Sequence, residues 1–512
     1  MKLLLSILSI FICTQISFSQ TASEALRYSL NRPAGTARAL ACKNAIGALG
    51  GDFTAIAINP AGIGLFRKSD VYVSIGPVFQ NIESQLATEK NGIYSKTKES
   101  FQFHGAGIVF TGEPIASKWS NVNFAINFIK TADFNENSYF KGKSIGSISD
   151  RFLELALDPN QTGLIGLEPN QLDNFEAGLA YETGVIYDPG TDPNHTTYTT
   201  DLRLYPGYLL PKEQITKITG GLYDFSLGLG GNFNEKIAVG ANLNIPFGEF
   251  NRESTYNEYE AKKDEVLPFI NLEFKETLKT KVSGINARLG LIYKPVHFLR
   301  LGIAWQTPSY LWLTDQFNTQ LSNTYYNNRR DTSLTAYSPD GEFTYRLTTP
   351  SHTVLSVAGV SKMGFISIDI DFMNPQNAHY NLTADSDNAG DYEFQEELNK
   401  DIEKQFKSII QYRLGAEFVI QKFRIRGGYE ILEQAYANTD KFDSAYSYGF
   451  GYRADRWYLD LAYKNAKIEQ SYAPYLTGNS DFDGNGTIDA PTPLVNQKNI
   501  QQRIQITLGF KL

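Results

Sequence analysis

The chain has almost no cysteine, little methionine and, past its first twenty residues, no long apolar run. Of 512 residues only two are Cys and three are Met. Cys13 falls within the N-terminal leader expected below, so the remaining chain keeps Cys42 alone and no intramolecular disulfide can form. A mean hydropathy of −0.30 without further apolar stretches excludes a bundle of membrane helices. Basic charge is not in surplus either. Lys and Arg number 47 against 55 Asp and Glu, a formal charge of −8, which leaves no footprint for nucleic acid. A charged fraction of only 20% together with 30 Tyr and 33 Phe excludes a disordered chain.

Catalytic constellations are missing as well. The histidines, His104, His195, His297, His352 and His379, are scattered, and none stands in an H-E-x-x-H array. Gly142-Lys143-Ser144-Ile145-Gly146 matches G-x-S-x-G but lacks the strand–helix repeats that give the motif meaning. No complete Gly-rich nucleotide motif appears. The expectation is a protein that is not an enzyme and requires no cofactor.

What is present begins with Lys2 and the run Leu3, Leu4, Leu5, Ile7, Leu8, Ile10, Phe11, Ile12, followed by Ser17-Phe18-Ser19. One positive charge, a short apolar run and small residues two apart predict a secretory signal peptide over 1–19.

From about residue 69 onward the chain alternates with a period of two. In Gly364–Phe372, Ile366, Ile368, Ile370 and Phe372 share one face, while Ser367, Asp369 and Asp371 share the other. Trp457, Leu459, Leu461 and Tyr463 oppose Tyr458, Asp460 and Ala462 in the same way. Such runs predict strands with one apolar and one polar face. The polar face is rich in Gly and Asn, as a water-lined or plugged lumen requires. Short connections (234–235, 294–295, 362–363, 421–422, 454–455) alternate with long ones (132–219, 256–270, 316–342, 374–406, 473–495). That asymmetry predicts an all-β fold: a transmembrane antiparallel β-barrel in the Gram-negative outer membrane, with turns and both termini periplasmic and long loops outside. The expected strands are 69–80, 101–112, 121–131, 220–233, 236–255, 272–293, 297–315, 343–361, 364–373, 407–420, 423–436, 441–453, 456–472 and 497–512, about fourteen in all. The barrel domain thus spans 69–512.

Residues 20–68 are of another kind. Between Ala34 and Gly64, nine Ala and six Gly make up fifteen of thirty-one residues. Small residues allow close backbone packing but cannot build a large core alone, so this segment is expected to pack inside the barrel as a hatch. Within it, Gly47-Ala48-Leu49-Gly50-Gly51-Asp52-Phe53-Thr54-Ala55-Ile56-Ala57-Ile58-Asn59-Pro60-Ala61-Gly62 resembles the hatch of the FadL-type (OmpP1/FadL/TodX) outer-membrane transporters, in the form found in Bacteroidetes. Asn59-Pro60-Ala61 matches that family's NPA motif. The resemblance implies a fourteen-stranded barrel for passive uptake of hydrophobic compounds such as long-chain fatty acids or aromatic hydrocarbons. The ligand would bind among the outer loops, enter the lumen and leave sideways beside the third strand, near 121–131, when the hatch shifts. Asn59, Pro60, Ala61 and Gly62 are the implied gating residues. An alternative reading is a barrel of this shape serving protein secretion (type IX-like) or outer-membrane assembly. The expected partners are hydrophobic small molecules, outer-membrane lipid and lipopolysaccharide, for a monomeric protein.

Three further groups are candidates. Two helix-like stretches in the longest loop, Ile148–Leu157 and Leu172–Ala180, carry Phe152, Leu155, Phe175 and Leu179 as an outer ligand site or as packing. Arg424 and Arg426, near Arg413, Glu417 and Glu430, could hold a carboxylate or stiffen the wall. The loop Asp481-Phe482-Asp483-Gly484-Asn485-Gly486-Thr487-Ile488-Asp489 has the spacing of a calcium loop. Asp481, Asp483, Asn485, Thr487 and Asp489 are its ligands, and Thr492 stands where the bidentate Glu belongs, so the expected structural Ca²⁺ site is weak.

Overall fold

The computed structural model describes residues 22–30, 32–87, 90–158, 165–190, 196–205, 207–327, 329–382, 389–478 and 490–512. The leader at 1–19 and the calcium loop at 481–489 lie outside the described residues.

Alternating sequences set side chains on opposite faces of extended backbone, and here they form one continuous sheet. Its first segments are β1 (Asp70–Leu86), β2 (Tyr94–Gly112), β3 (Trp119–Asp133), β4 (Glu136–Ser144), β5 (Leu210–Phe233), β6 (Ile237–Tyr259) and β7 (Phe269–Val296). Next come β8 (Leu299–Gln306), β9 (Tyr310–Asn327), β10 (Arg330–Tyr337), β11 (Gly341–Thr348), β12 (His352–Ser361), β13 (Gly364–Met373) and β14 (His379–Asn381). The last are β15 (Ile409–Ile420), β16 (Phe423–Glu433), β17 (Phe442–Arg453), β18 (Trp457–Tyr472) and β19 (Val495–Lys511). Breaks divide some wall strands: β3 with β4, β8 with β9, β10 with β11 and β12, and β13 with β14 each occupy one position. The wall therefore has 14 antiparallel strands, and it closes where β1 pairs with β19 from Asp70↔Lys511 to Leu86↔Val495. Closure removes the free edges.

Three long connections differ from expectation, of which 132–219 holds β4 and the start of β5 from Leu210. The segment 316–342 is largely strand, since β9 and β10 form a hairpin from Arg330↔Asn327 to Tyr337↔Gln320. Its Thr, Ser, Asn and Tyr residues show no apolar alternation because this part of the wall stands in water on its outer face. The connection 374–406 holds a helix, α5 (Ala389–Gln405), whose Phe394, Leu398 and Ile402 recur at four-residue spacing among charged residues and pack into the loop-end core.

Outward residues form an apolar belt. Ile366 and Ile368 are 62% and 48% exposed, while Ser367 and Asp369 between and beside them are fully buried. Leu243, Ile245, Leu291, Ile303, Leu414, Ile425, Phe450 and Leu461 continue the belt on other strands. A contiguous band of this kind is stable only against lipid, with every backbone group satisfied inside the closed ladder. No helix among the described residues is long and apolar enough to cross a membrane; the strands do the crossing.

The lumen is filled. Helix α1 (Ala22–Ser29) buries Ala22, Ala25 and Tyr28 against Leu313, Tyr345, Tyr380 and Ile402, at the long-loop end and under α5. The chain then descends through α2 (Ala37–Ala41) and two 3-10 turns, Phe53–Ala57 and Pro60–Leu65, to β1 at the short-turn end. At the other end of the chain Lys511 stands on the short-turn side, whereas Ala22, the first described residue, is buried near the long loops. A helix with a buried apolar face needs a partner, and the loop-end core supplies it.

Candidate functional site: the hatch, its wall and the outer cap

Asn59 organises the hatch. As the residue before the Pro60–Leu65 turn it accepts from Ala61 N through Oδ1 at 3.1 Å, and Pro60 fits the first position of that turn, where no donor is needed. Its Nδ2 donates to Gly47 O at 2.7 Å and to Leu291 O of β7 at 3.3 Å. One side chain therefore caps a turn, ties two hatch segments together and reaches the wall. Ala61 is fully buried with Ala238 and Ile292, and a Cβ on Gly62 would meet Ala55 and the Gly50 backbone.

The wall holds the hatch by side-chain bonds to its backbone. Asn123 donates to Ile63 O at 2.7 Å and Phe66 O at 2.8 Å, Asn242 to Ile56 O at 2.8 Å, and Ser447 to Ala41 O at 2.9 Å. Asp369 accepts from Gly47 N at 2.9 Å, and Arg300 donates to Leu49 O at 2.6 Å. The inward Asn-rich faces of the strands are thus a set of anchors. Sequence reading took these asparagines as lumen lining, since nothing along the chain pairs Asn123 with Ile63.

The wall itself is interrupted beside β3. β2 and β3 pair only from Gly105↔Ile129 to Gly112↔Val122. Beyond that, Tyr94–Phe103 of β2 pairs only with β1, and β4 pairs only with β5. The register of β3 on β5 shifts between Lys130 and Ala132, which turns the strand. The carbonyls of Thr131 and Lys130 accept instead from Arg32 N at 3.0 Å and Ala34 N at 2.8 Å, so the hatch arm takes the place of β2. Side chains lace the breach. Gln102 Nε2 donates to Asp133 Oδ2 at 2.8 Å, Lys130 Nζ to Gln102 Oε1 at 3.0 Å, and Lys130 lies 3.0 Å from Asp133 Oδ1. Asn91 closes the far end, bonding Lys143 through both N–H and carbonyl. Outside, Phe103, Phe128, Tyr223 and Phe247 form an aromatic rim with ring centroids 5.3–6.1 Å apart. The breach begins at the end of the stretch 121–131 expected from sequence, at Lys130 and Thr131, and continues to Asp133.

The outer cap consists of α3 (Ile148–Leu155), α4 (Ala177–Glu182) and the strand ends around them. Phe152 and Leu179 are buried in its core, Leu155 packs against that core, and Phe175 stacks on Phe317 at 5.0 Å. The second helix begins later than expected because the Asp173 carboxylate accepts from the backbone N–H of Phe175, Glu176 and Ala177. Glu258 of β6 seats α3, accepting from Ser147 Oγ at 2.5 Å and Ile148 N at 3.0 Å, with Lys212 3.8 Å away.

The two arginines part company. Arg426 is buried between Glu417 at 2.6 Å and Asp460 at 2.7 Å, in a network with Arg453 and the hatch residue Arg38. Arg424 sits at the turn rim, donating to Gln421 O and Phe423 O at 2.8 Å. Cavities lie between hatch and wall, among them two lined by described residues. One, about 20 Å³, is lined by polar groups including His352, Asp371 and Arg413 and has room for one water. The other, about 310 Å³, opens at the short-turn end. Neither is an apolar conduit.

A solved FadL homologue from Pseudomonas aeruginosa superimposes with a TM-score of 0.54 at 12% identity, over 93% of this chain and 98% of that one. The fold is the FadL-type barrel. The P. putida toluene transporter TodX matches with a TM-score of 0.50 at 11% identity, over 93% and 98% of the two chains. A family model described as BamG matches residues 211–418, which runs from β5 to β15 of the FadL-type wall. No curated protein matches the sequence.

Proposed function

We propose that this protein is an outer-membrane transporter for passive uptake of hydrophobic compounds, released sideways through the wall. The observation that carries this reading is the breach beside β3, where the hatch arm rather than β2 satisfies Lys130 O and Thr131 O. Moving the arm would free two backbone carbonyls and open a gap at the level of Phe101 and Phe103, which are 72% and 40% exposed on the lipid side. An apolar molecule gains about 0.8 kcal/mol per CH₂ by staying out of water, so a lateral route favours it over a path through the periplasm. Long-chain fatty acids or aromatic hydrocarbons fit this chemistry, with a calcium ion in the 481–489 loop ordering the outer face. The test is uptake of labelled fatty acid and of toluene by a deletion strain complemented with wild type and with Asn59→Ala. Uptake lost on deletion and restored only by wild type supports the transporter; uptake indifferent to deletion overturns it.

A second reading, a component of outer-membrane protein assembly, is favoured by the BamG match over residues 211–418. It predicts that depletion lowers the levels of other outer-membrane barrels while hydrocarbon uptake per cell is unchanged.

A further inference from the structure

The cavity of about 310 Å³ at the short-turn end lies between the hatch and the barrel wall. Four cations line it: Arg38 and Arg67 from the hatch side, Lys294 and Arg300 from the wall. Two carboxylates, Glu235 and Glu417, oppose them. Glu235 is shared by Arg67 at 3.3 Å and Lys294 at 3.7 Å, and Glu417 lies 3.8 Å from Arg38. Among the described residues no carboxylate lies within ion-pair distance of Arg300, whose guanidinium instead donates to Leu49 O. The formal surplus is two positive charges in a chain whose total is −8. Leu49, Leu65, Phe365 and Val419 complete the lining, so the cavity is mixed rather than purely ionic. Its rim faces water, since the Arg67 side chain is 77% exposed.

We propose that this vestibule docks an acidic segment of a protein on the short-turn side of the membrane, with glutamate or aspartate carboxylates on Arg300, Arg67 and Lys294 and its apolar side chains on Leu65 and Phe365. The occupant must arrive through water, which favours a soluble acidic peptide over a free fatty acid, whose tail is costly to hydrate. The same cations hold the hatch. Arg300 binds Leu49 O, Arg38 donates to Gly51 O at 3.0 Å, and Gly50 and Gly51 turn between them at φ of +63° and +62°. A carboxylate competing for these guanidiniums loosens that turn, twelve residues along the chain from Gly62 and bonded to it through Gly51 N and Gly62 O at 3.2 Å. Docking is thereby coupled to hatch position. The inference stands apart from the transported compound and holds for either reading above.

The test uses the full chain in lipid nanodiscs and a short fluorescein-labelled peptide of alternating glutamate and valine, with its lysine counterpart as control. Fluorescence anisotropy should show saturable binding of the acidic peptide only, weakened by salt. Lys294→Gln, which does not touch the hatch, and Arg300→Gln should each weaken it about tenfold, and hydrogen exchange at Leu49–Gly51 should quicken on binding. Binding by both variants as tight as by wild type, binding of both peptides alike, or binding of labelled oleate with none of the acidic peptide would each overturn the proposal.

Discussion

Gln102 of β2 and Asp133 of β3 meet at 2.8 Å across a stretch of wall where their two strands share no backbone bonds. Lys130 completes the triangle, so the breach is closed by side chains and by the hatch arm rather than by a ladder. Side-chain bonds can be exchanged without unzipping a sheet, so this seam opens more readily than a laddered junction.

A disulfide across that line should therefore lock the protein. In the double variant Gln102→Cys, Asp133→Cys, oxidation is expected to reduce uptake to the level of the deletion strain, and reduction to restore it. Native Cys42 is buried and does not compete. Unchanged uptake in the crosslinked protein would separate the seam from transport.

Loss of the Asn59 side chain removes a cap and two long-range bonds at once. Asn59→Ala should destabilise hatch seating by about 1–3 kcal/mol while the barrel keeps its fold. Hydrogen exchange of residues 47–62 should rise, with heat-modifiable migration on gels unchanged.

The hatch also depends on missing side chains in the wall. A Cβ at Gly290 would overlap Asn59 Oδ1 and come within 2.9 Å of Pro60 Cδ, and one at Gly240 would strike Pro60 O. Gly290→Ala should cost about 1–3 kcal/mol by overpacking, and adding Gly240→Ala should unseat the hatch. Protease sensitivity near residue 60 in the folded barrel is the readout.

The cap should respond to pH. Burial pushes the Asp150 carboxyl in the first turn of α3 up to about 6 from 3.8, with Glu258 nearby adding to the effect. A carboxyl whose folded value is raised binds its proton more tightly in the docked cap. Its contribution is complete below the ordinary value and is lost as pH rises through about 6. Cap protection in hydrogen exchange at residues 148–156 should thus fall between pH 4 and pH 7, by an amount worth at most ~3 kcal/mol. Asp150→Asn should flatten that dependence; a wild-type profile flat over this window would contradict the assignment.

Much of this was written in the chain. Alternation with period two separated Ile366 and Ile368 from Ser367 and Asp369, and the sheet places them outside and inside as read. Strand number followed from the same signal, because a slip of one residue would put every charged side chain into lipid. The Ala and Gly density of 34–64 gave the hatch, since only small residues let backbone approach a wall this closely. In the β9–β10 hairpin the outer face is polar and the inner face buries only scattered apolar residues such as Leu321 and Ala336, so the alternation is weak there. In α5 the stripe Phe394, Leu398 and Ile402 is sparse among charges, and the core it packs into forms only when the barrel closes. Tertiary structure alone decided the rest. Thr131 and its partner Arg32 are ninety-nine residues apart in sequence, and no local rule predicts that the hatch arm replaces β2 there. Nor does spacing bury Arg426 between Glu417 and Asp460 while leaving Arg424, two residues away, at the rim. The alternation of a strand fixes which face a residue takes; the partner it meets on that face is set by how the barrel closes around its hatch.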